Sequence, residues 1–422
     1  MRVLIVADNA SIQFGGEAFL PFNYFRLLRI RGIDVRLLVH DRNRSGLRTQ
    51  FPEDQDRLHF VKDTLLHKIV FRFGNFLPRR VADVSTGLVI HLTTQIAQRR
   101  LVRKLSKLHH FDVIHVPIPV SPKAPSLLYG FGLPVIFGPM NGGMEYPPAF
   151  RREEGRLSRF AVALGRGLAS FLNLIFPGKR RARLLLVANA RTRNALPRGI
   201  KSCVIDLVEN GVDFTVWRRS EIRAAPGRQL RMIFVGRLVD WKAIEIVFEA
   251  IQQLGSDPRW SFEIIGDGPM RAVWEKLSHD MGLEAIAKFS GWMNQEECAR
   301  RLDAADVLVL PSLFESGGAV VLEAMAMGLP VIATAWGGPL DYLDSSCGVL
   351  VAPTSREGLV AGFASAIMML ADSSDLRQRL GEAGYRRARL YFDWEKKIDR
   401  ILELYDLVTK PVQGLERVEA PP

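Results

Sequence analysis

The chain has 422 residues, 48% of them hydrophobic and 24% charged, an ordinary soluble composition with enough length for two cores. Its three cysteines, Cys203, Cys298 and Cys347, lie far apart and without metal-ligand spacing, which excludes a disulfide framework and fits a reducing compartment. The net charge of +12 is uneven: residues 1–201 carry 33 Lys+Arg against 13 Asp+Glu, or +20, and the remainder 24 against 32, or −8.

A basic half implies an anionic partner. Nucleic acid ranks last, because no recognisable module and no basic run interleaved with aromatics occurs; an anionic membrane surface or a phosphorylated acceptor remains. No apolar run reaches the ~18 residues of a spanning helix, and the opening apolar run is too short for a signal-peptide core. The expectation is a cytoplasmic protein, peripheral to the inner face of a membrane.

Residues 2–7 read as a first strand. The turn Gly15-Gly16-Glu17 then opens a helix to about Arg31, which Gly32 ends before a strand at 34–40. Strand, glycine turn, helix and strand open a doubly wound α/β domain, without the three-glycine dinucleotide fingerprint. Gly15 and Gly16 suit either a tight loop or a close ligand approach. Residues 41–80 lack a period and read as a variable loop with some helix, and a helix covers 87–108. The strand at 111–116 ends near His115, where open sheets bind ligands, although a lone histidine in an apolar strand also serves as a packed core residue. The strand beginning at Val135 stops at a flexible loop containing Asn141, Gly142 and Gly143, so the two loops outline the rim of one pocket. Residues 151–183 alternate basic clusters with an apolar stretch at 160–176. This is either a helix lying in a membrane interface or an internal helix of the first domain.

The pattern restarts at Val204. A strand at 232–235 leads into Gly236-Arg237 and Lys242, and a strand at 262–265 ends in Gly266-Asp267-Gly268-Pro269, with proline suited to a first helical turn. The stretch 305–335 reads as strand, turn, helix and strand. Gly317 and Gly318 allow backbone to approach a ligand, and the first amides of the following helix, at its positive dipole end, suit a phosphate. Glu323 follows Glu315 by eight residues, about 7 Å of rise into that helix, and leans back toward its mouth. Carboxylates beside a phosphate suit hydroxyl groups, so the implied ligand has sugar hydroxyls on both sides of a phosphate; solvated helix-surface glutamates are the plainer alternative. Arg237 and Lys242 stand where a diphosphate would meet them. A helix from 382 to about 408 docks firmly, and residues 411–422 read as a disordered tail.

Taken together, Gly15-Gly16-Glu17, Asn210-Gly-Val-Asp213, FVGRL (234–238) with Lys242, GDGP (266–269), Glu315-x7-Glu323 and the terminal FDWEKK…LELY resemble the retaining GT-B glycosyltransferases of family 4, in order and over nearly the whole chain. The resemblance implies an α/β GT-B fold of two Rossmann-like doubly wound domains facing across a cleft. Residues 1–208 would bind the acceptor and 209–390 the donor, with a helix at 391–410 crossing back to the first domain. It implies a nucleotide-sugar donor as substrate, a sugar or lipid-linked acceptor, no metal and no other cofactor. Arg237, Lys242, Glu315 and His115 would be catalytic. Gly15, Gly16, Gly266, Asp267, Gly268, Gly317, Gly318, Ala319, Val320 and Glu323 would hold the donor, and Asn141, Gly142 and Gly143 the acceptor. Pro117 stands where the family often has a second histidine. A GT-B-fold nucleotide-sugar epimerase and a non-catalytic protein of this fold are the alternatives.

Overall fold

A computed structural model describes residues 1–12, 16–64, 69–70, 79–151, 156–220, 229–255 and 259–410. The chain forms two compact units: Met1–Gly143 with Gly155–Glu209 and Ile398–Pro422, and Met144–Glu154 with Asn210–Lys397. The expected tail at 411–422 and Gly15 lie outside the described residues.

Unit 1 holds a seven-stranded sheet of β1 (Arg2–Val6), β2 (Asp34–His40), β3 (Leu58–Val61), β4 (Val113–Val116), β5 (Val135–Met140), β6 (Leu184–Val187) and β7 (Cys203–Asp206), in the order β3-β2-β1-β4-β5-β6-β7. Unit 2 holds β8 (Leu230–Val235), β9 (Trp260–Ile265), β10 (Ala287–Gly291), β11 (Val307–Leu310), β12 (Val331–Thr334) and β13 (Gly348–Val351), in the order β10-β9-β8-β11-β12-β13. Every recorded strand pair is parallel. Parallel neighbours need crossover connections, and sheets covered on both faces have strands that are apolar throughout. β4, β6, β11 and β12 accordingly have every residue buried. In each sheet the order reverses beside the first strand, between β1 and β4 and between β8 and β11.

The helices include α1 (Phe19–Ile30), α2 (Arg79–Leu108) and α3 (Arg156–Ile175) in unit 1, α4 (Glu245–Leu254), α5 (Gln295–Ala304) and α6 (Ala319–Ala326) in unit 2, and α7 (Trp394–Thr409). Strand β3 falls inside the stretch read as loop; with four residues, Leu-His-Phe-Val, it is too short to show a period, and its pairing with β2 creates it. Nor does one helix run from 382 to 408. The chain bends at Asp393, where Val212 donates to the Phe392 carbonyl (2.8 Å) and Trp394 to the Val212 carbonyl (3.1 Å). From Ile398 onward α7 belongs to unit 1, burying Ile401, Leu404 and Tyr405 there.

The last two turns of α3 expose one face. Leu168, Phe171, Leu174 and Ile175 are between 44% and 58% exposed and, at 100° per residue, share a stripe about 120° wide. Asn173 points the other way, donating to the carbonyls of Lys123 (2.8 Å) and Ala169 (2.7 Å).

Candidate functional site

Open doubly wound sheets bind ligands beyond the carboxyl ends of the strands where their order reverses. In unit 2 those ends are the turns after β8 and β11. After β8, Arg237 is exposed, and among the described residues no ion pair or side-chain hydrogen bond holds its guanidinium. A tight turn then brings Lys242 back, aided by Ala243 in the left-handed region (φ 49°). The Lys242 ammonium pairs with the Glu315 carboxylate from the turn after β11, with side chains 12% and 14% exposed. Both sets of residues named from sequence therefore meet at one point. Each charge satisfies the other in the ligand-free protein, as buried charges must. A diphosphate would draw the ammonium and leave the carboxylate for hydroxyl donors.

The Glu315 turn is held by close backbone packing. Gly318 caps α6 with a positive φ (72°) and no side-chain cap, so the first amides of the helix have no intrahelical acceptor. Gly338 N–H donates to the Glu315 carbonyl (2.7 Å). A Cβ at Gly337 would lie 2.3 Å from that carbonyl oxygen, and one at Gly338 only 2.1 Å from the Gly317 oxygen. The reading of the sequence missed this second glycine pair, although Trp336-Gly337-Gly338-Pro339 was a visible signal after a strand. The Gly266–Gly268 turn does a similar job for Arg237. A Cβ at Gly266 would meet the Gly236 oxygen at 1.9 Å and one at Gly268 the Leu238 oxygen at 2.2 Å, while Leu238 N–H donates to the Asp267 carbonyl (3.0 Å). Asp267 itself faces solvent and bonds Gly268 N–H (2.7 Å).

Glu323 sits in the second turn of α6, after Ala319 and Val320 at its mouth. Burial pushes its carboxyl up to about 7, so it is poorly solvated and gains from any hydroxyl that donates to it. Cys298 of α5 lies close enough to be affected: burial, then the Glu323 charge, pushes its thiol up to about 11.

One segment contributes to this unit unannounced. Met144, Glu145 and Tyr146 are part of unit 2, with the Trp336 indole donating to the Glu145 carbonyl (2.7 Å) and the Tyr146 ring 5.5 Å from that of Phe314.

At the corresponding reversal in unit 1, Asp8 follows β1 and accepts from His91 Nδ1 (2.8 Å) and Gln98 (3.1 Å) of α2. His91 Nε2 faces the Pro125 carbonyl (3.0 Å). Both ring nitrogens thus face acceptors, and although burial opposes charge, Asp8 raises the imidazole's basicity. Asp8 is lowered despite its own burial, chiefly by His91. Glu17, next to the exposed Gly16 (φ 54°), accepts from Val120 N–H (3.2 Å); desolvation, with Asp8 adding to it, raises its carboxyl. Asp8 at a strand's carboxyl end was a legible signal, whereas His91 is 83 residues away and gave none.

His115 and Asn141 are buried in unit 1. His115 is fully buried: its Nε2 donates to the Gly138 carbonyl (2.6 Å), which fixes Nδ1 as acceptor of the Tyr405 hydroxyl (2.7 Å). Burial pushes its pKa down to about 4. It is a neutral core residue that receives α7, at the position where the sequence led to the expectation of a catalytic histidine. Asn141 is buried as well, donating to Glu209 (2.7 Å) and accepting from Arg191 (3.2 Å), so its amide is spent on the interior. Gly142 and Gly143 admit close packing: a Cβ would meet Pro122 at 2.5 Å and Ala195 at 3.0 Å, respectively.

The fold is that of the GT-B proteins, since likeness to solved structures runs the length of the chain. An Anabaena protein, HepE, crystallised with UDP, superposes with TM-score 0.64 at 17% identity, covering 96% of this chain and 100% of that one. Sucrose-phosphate synthase of Thermosynechococcus elongatus gives 0.66 at 17% identity over 97% and 99%. Residues 216–387 match the family Glycosyl transferases group 1. Among curated relatives, the lipopolysaccharide core biosynthesis glycosyltransferase LpsE of Rhizobium meliloti is 34% identical over 178 residues, 42% of this chain and 49% of the relative. The alpha-D-kanosaminyltransferase of Streptomyces kanamyceticus is 33% identical over 169 residues, 39% and 43%. The chain spans about half the length of the curated relatives it matches.

Proposed function

We propose that the protein is a retaining glycosyltransferase that moves a sugar from a nucleotide-sugar donor to an acceptor hydroxyl without a metal. The observation that carries this is the Lys242–Glu315 ion pair at the mouth of a glycine-capped helix, with the carboxyl of Glu323 in that helix's second turn. The match of residues 216–387 to Glycosyl transferases group 1 and the similarity to relatives named as glycosyltransferases support it.

In this reading Arg237, Lys242 and the amides from Gly317 to Val320 hold the diphosphate. Glu323 accepts hydrogen bonds from the ribose, and Glu315 from the sugar. The bond from the anomeric carbon to the phosphate oxygen breaks while the acceptor oxygen bonds to that carbon on the same face. The acceptor's proton passes to the departing phosphate oxygen. Negative charge grows on the diphosphate as it leaves, so the two cations act most strongly in the transition state. They supply the positive charge that a metal provides in other transferases.

The acceptor is lipid-linked or otherwise anionic and met at the cytoplasmic face of a membrane. The +20 of residues 1–201 and the exposed apolar stripe of α3 support this, since apolar side chains beside Arg and Lys suit an anionic bilayer surface. Exposed Arg100, Arg103, Lys104 and Lys107 of α2, the helix packed against α3, add to that charge.

The test is incubation of the protein with labelled UDP-, GDP- and ADP-sugars and lipid-extracted acceptors, with the product's anomeric configuration read by NMR. Transfer with retention is expected. Inversion would refute the mechanism, and epimerised donor formed without acceptor would refute the transfer.

A further inference from the structure

We infer that Tyr146 is a positioning residue for Glu315, as part of a strap at residues 144–151 that sets where the donor sugar is held; this rests on the transferase reading above. Among the described residues the strap meets the Glu315 loop and the loop after β12, which is bonded to it, at three points. Tyr146, buried, packs its ring on that of Phe314, the residue just before Glu315. The Glu145 carbonyl accepts the Trp336 indole N–H. Met144 fills the space over Gly337, where a Cβ would lie 2.7 Å from its methyl carbon and 2.3 Å from the Glu315 carbonyl oxygen.

Each point bears on the same short piece of backbone. Gly338 N–H fixes the Glu315 carbonyl (2.7 Å), so the strap presses on a loop that already has little freedom. The Glu315 side chain leaves that loop toward Lys242. Pro147 and Pro148 have fixed φ, and Phe150 is buried, so the strap is stiff and anchored on its far side. Rigid support matters here because catalytic carboxylates tolerate little displacement: a shift of about 1 Å can cost on the order of 10²-fold in rate.

Nucleotide binding depends less on the strap. Arg237, the Gly266–Gly268 turn and Glu323 stand on β8, β9 and α6, where the contacts among the described residues are local to those elements. The strap therefore acts most on the sugar and on turnover; because Lys242 pairs with Glu315, affinity for a nucleoside diphosphate alone falls too, but by less than turnover.

The test compares wild type with Tyr146→Ala, Tyr146→Phe and Trp336→Phe. Steady-state transfer is measured with the sugar nucleotide that the wild type uses, and calorimetric binding with the matching nucleoside diphosphate. Tyr146→Ala is expected to lower kcat by about tenfold to a hundredfold with a smaller loss of diphosphate affinity, Tyr146→Phe, which keeps the ring on Phe314, to recover part of that rate, and Trp336→Phe to lie between wild type and Tyr146→Ala. Equal turnover in Tyr146→Ala overturns the proposal alone, as does parallel loss of diphosphate binding, which would mean a general collapse of the site. A wild type that transfers no sugar from any nucleotide overturns both this proposal and the reading on which it rests.

Discussion

In the proposed function Glu323 meets the ribose with a carboxyl that burial pushes up to about 7, and the sign of the expected pH effect follows. Below about pH 7 it is protonated and can no longer accept from two ribose hydroxyls, so nucleotide affinity falls as pH drops from 8 to 6, by up to tenfold per unit once protonation dominates. Isothermal titration of the preferred nucleoside diphosphate across that range should show the fall, with proton release on binding near pH 7, and Glu323→Gln should bind weakly at every pH. In the free protein the same shift runs against folding: the unfolded carboxyl ionises from about 4.5, so stability is lost as pH rises through 7, and Glu323→Gln removes that loss. His115 runs the other way. Its folded pKa of about 4 lies below the ordinary 6.5, so the stability of its neutral form is present above 6.5 and lost as pH falls toward 4. The gap in urea midpoint between wild type and His115→Asn should narrow over that window. At this scale the sequence showed which charged residues could meet a ligand, because glycine turns and strand ends flag them. It did not show that His115 and Asn141 are buried, because burial depends on Tyr405 and Glu209, far away in the chain.

Helix α7 shows the same limit one level up. Its aromatic and aliphatic spacing is readable, but the bend at Asp393 arises from pairing with Val212, which no local pattern records. The Tyr405 hydroxyl donates to His115 inside unit 1, so Tyr405→Phe should leave a buried nitrogen unsatisfied and cost about 1–3 kcal/mol, measured by chemical denaturation with activity unchanged per folded molecule. The sequence of α3 left two roles open, membrane surface or core, since both need an apolar stripe. Exposure decides that the stripe faces outward. Phe171→Glu with Leu174→Glu should then abolish co-sedimentation with anionic vesicles while nucleotide binding persists, and neutral vesicles should bind the wild type weakly. Equal binding to both kinds of vesicle would remove charge from the account, and unchanged binding by the double variant would remove the helix.

Across the whole molecule, alternation of strand and helix announced two doubly wound units, and periodic apolar runs are enough for that. Strand order was not legible, because nothing local says that β4 lies beside β1 or β11 beside β8; those pairings place the reversal, and with it the site. Equally hidden was the membership of residues 144–154 in unit 2, which belong by sequence to the first half of the chain. Charge removal should separate the roles assigned in unit 2: Lys242→Ala or Arg237→Ala is expected to lower turnover by on the order of 10²–10³-fold with the melting temperature kept. In the proposed function the turns after β8 and β11 and the mouth of α6 form a site for a nucleoside diphosphate sugar. Thermal-shift measurement of wild type, Arg237→Ala and Glu323→Gln against UDP, GDP, ADP and their sugars tests it directly, because a ligand bound only by the folded state raises the melting temperature. A rise of several degrees in the wild type with one nucleotide, abolished in both variants, is the result expected; no rise with any of them, or a rise that both variants keep, would contradict it.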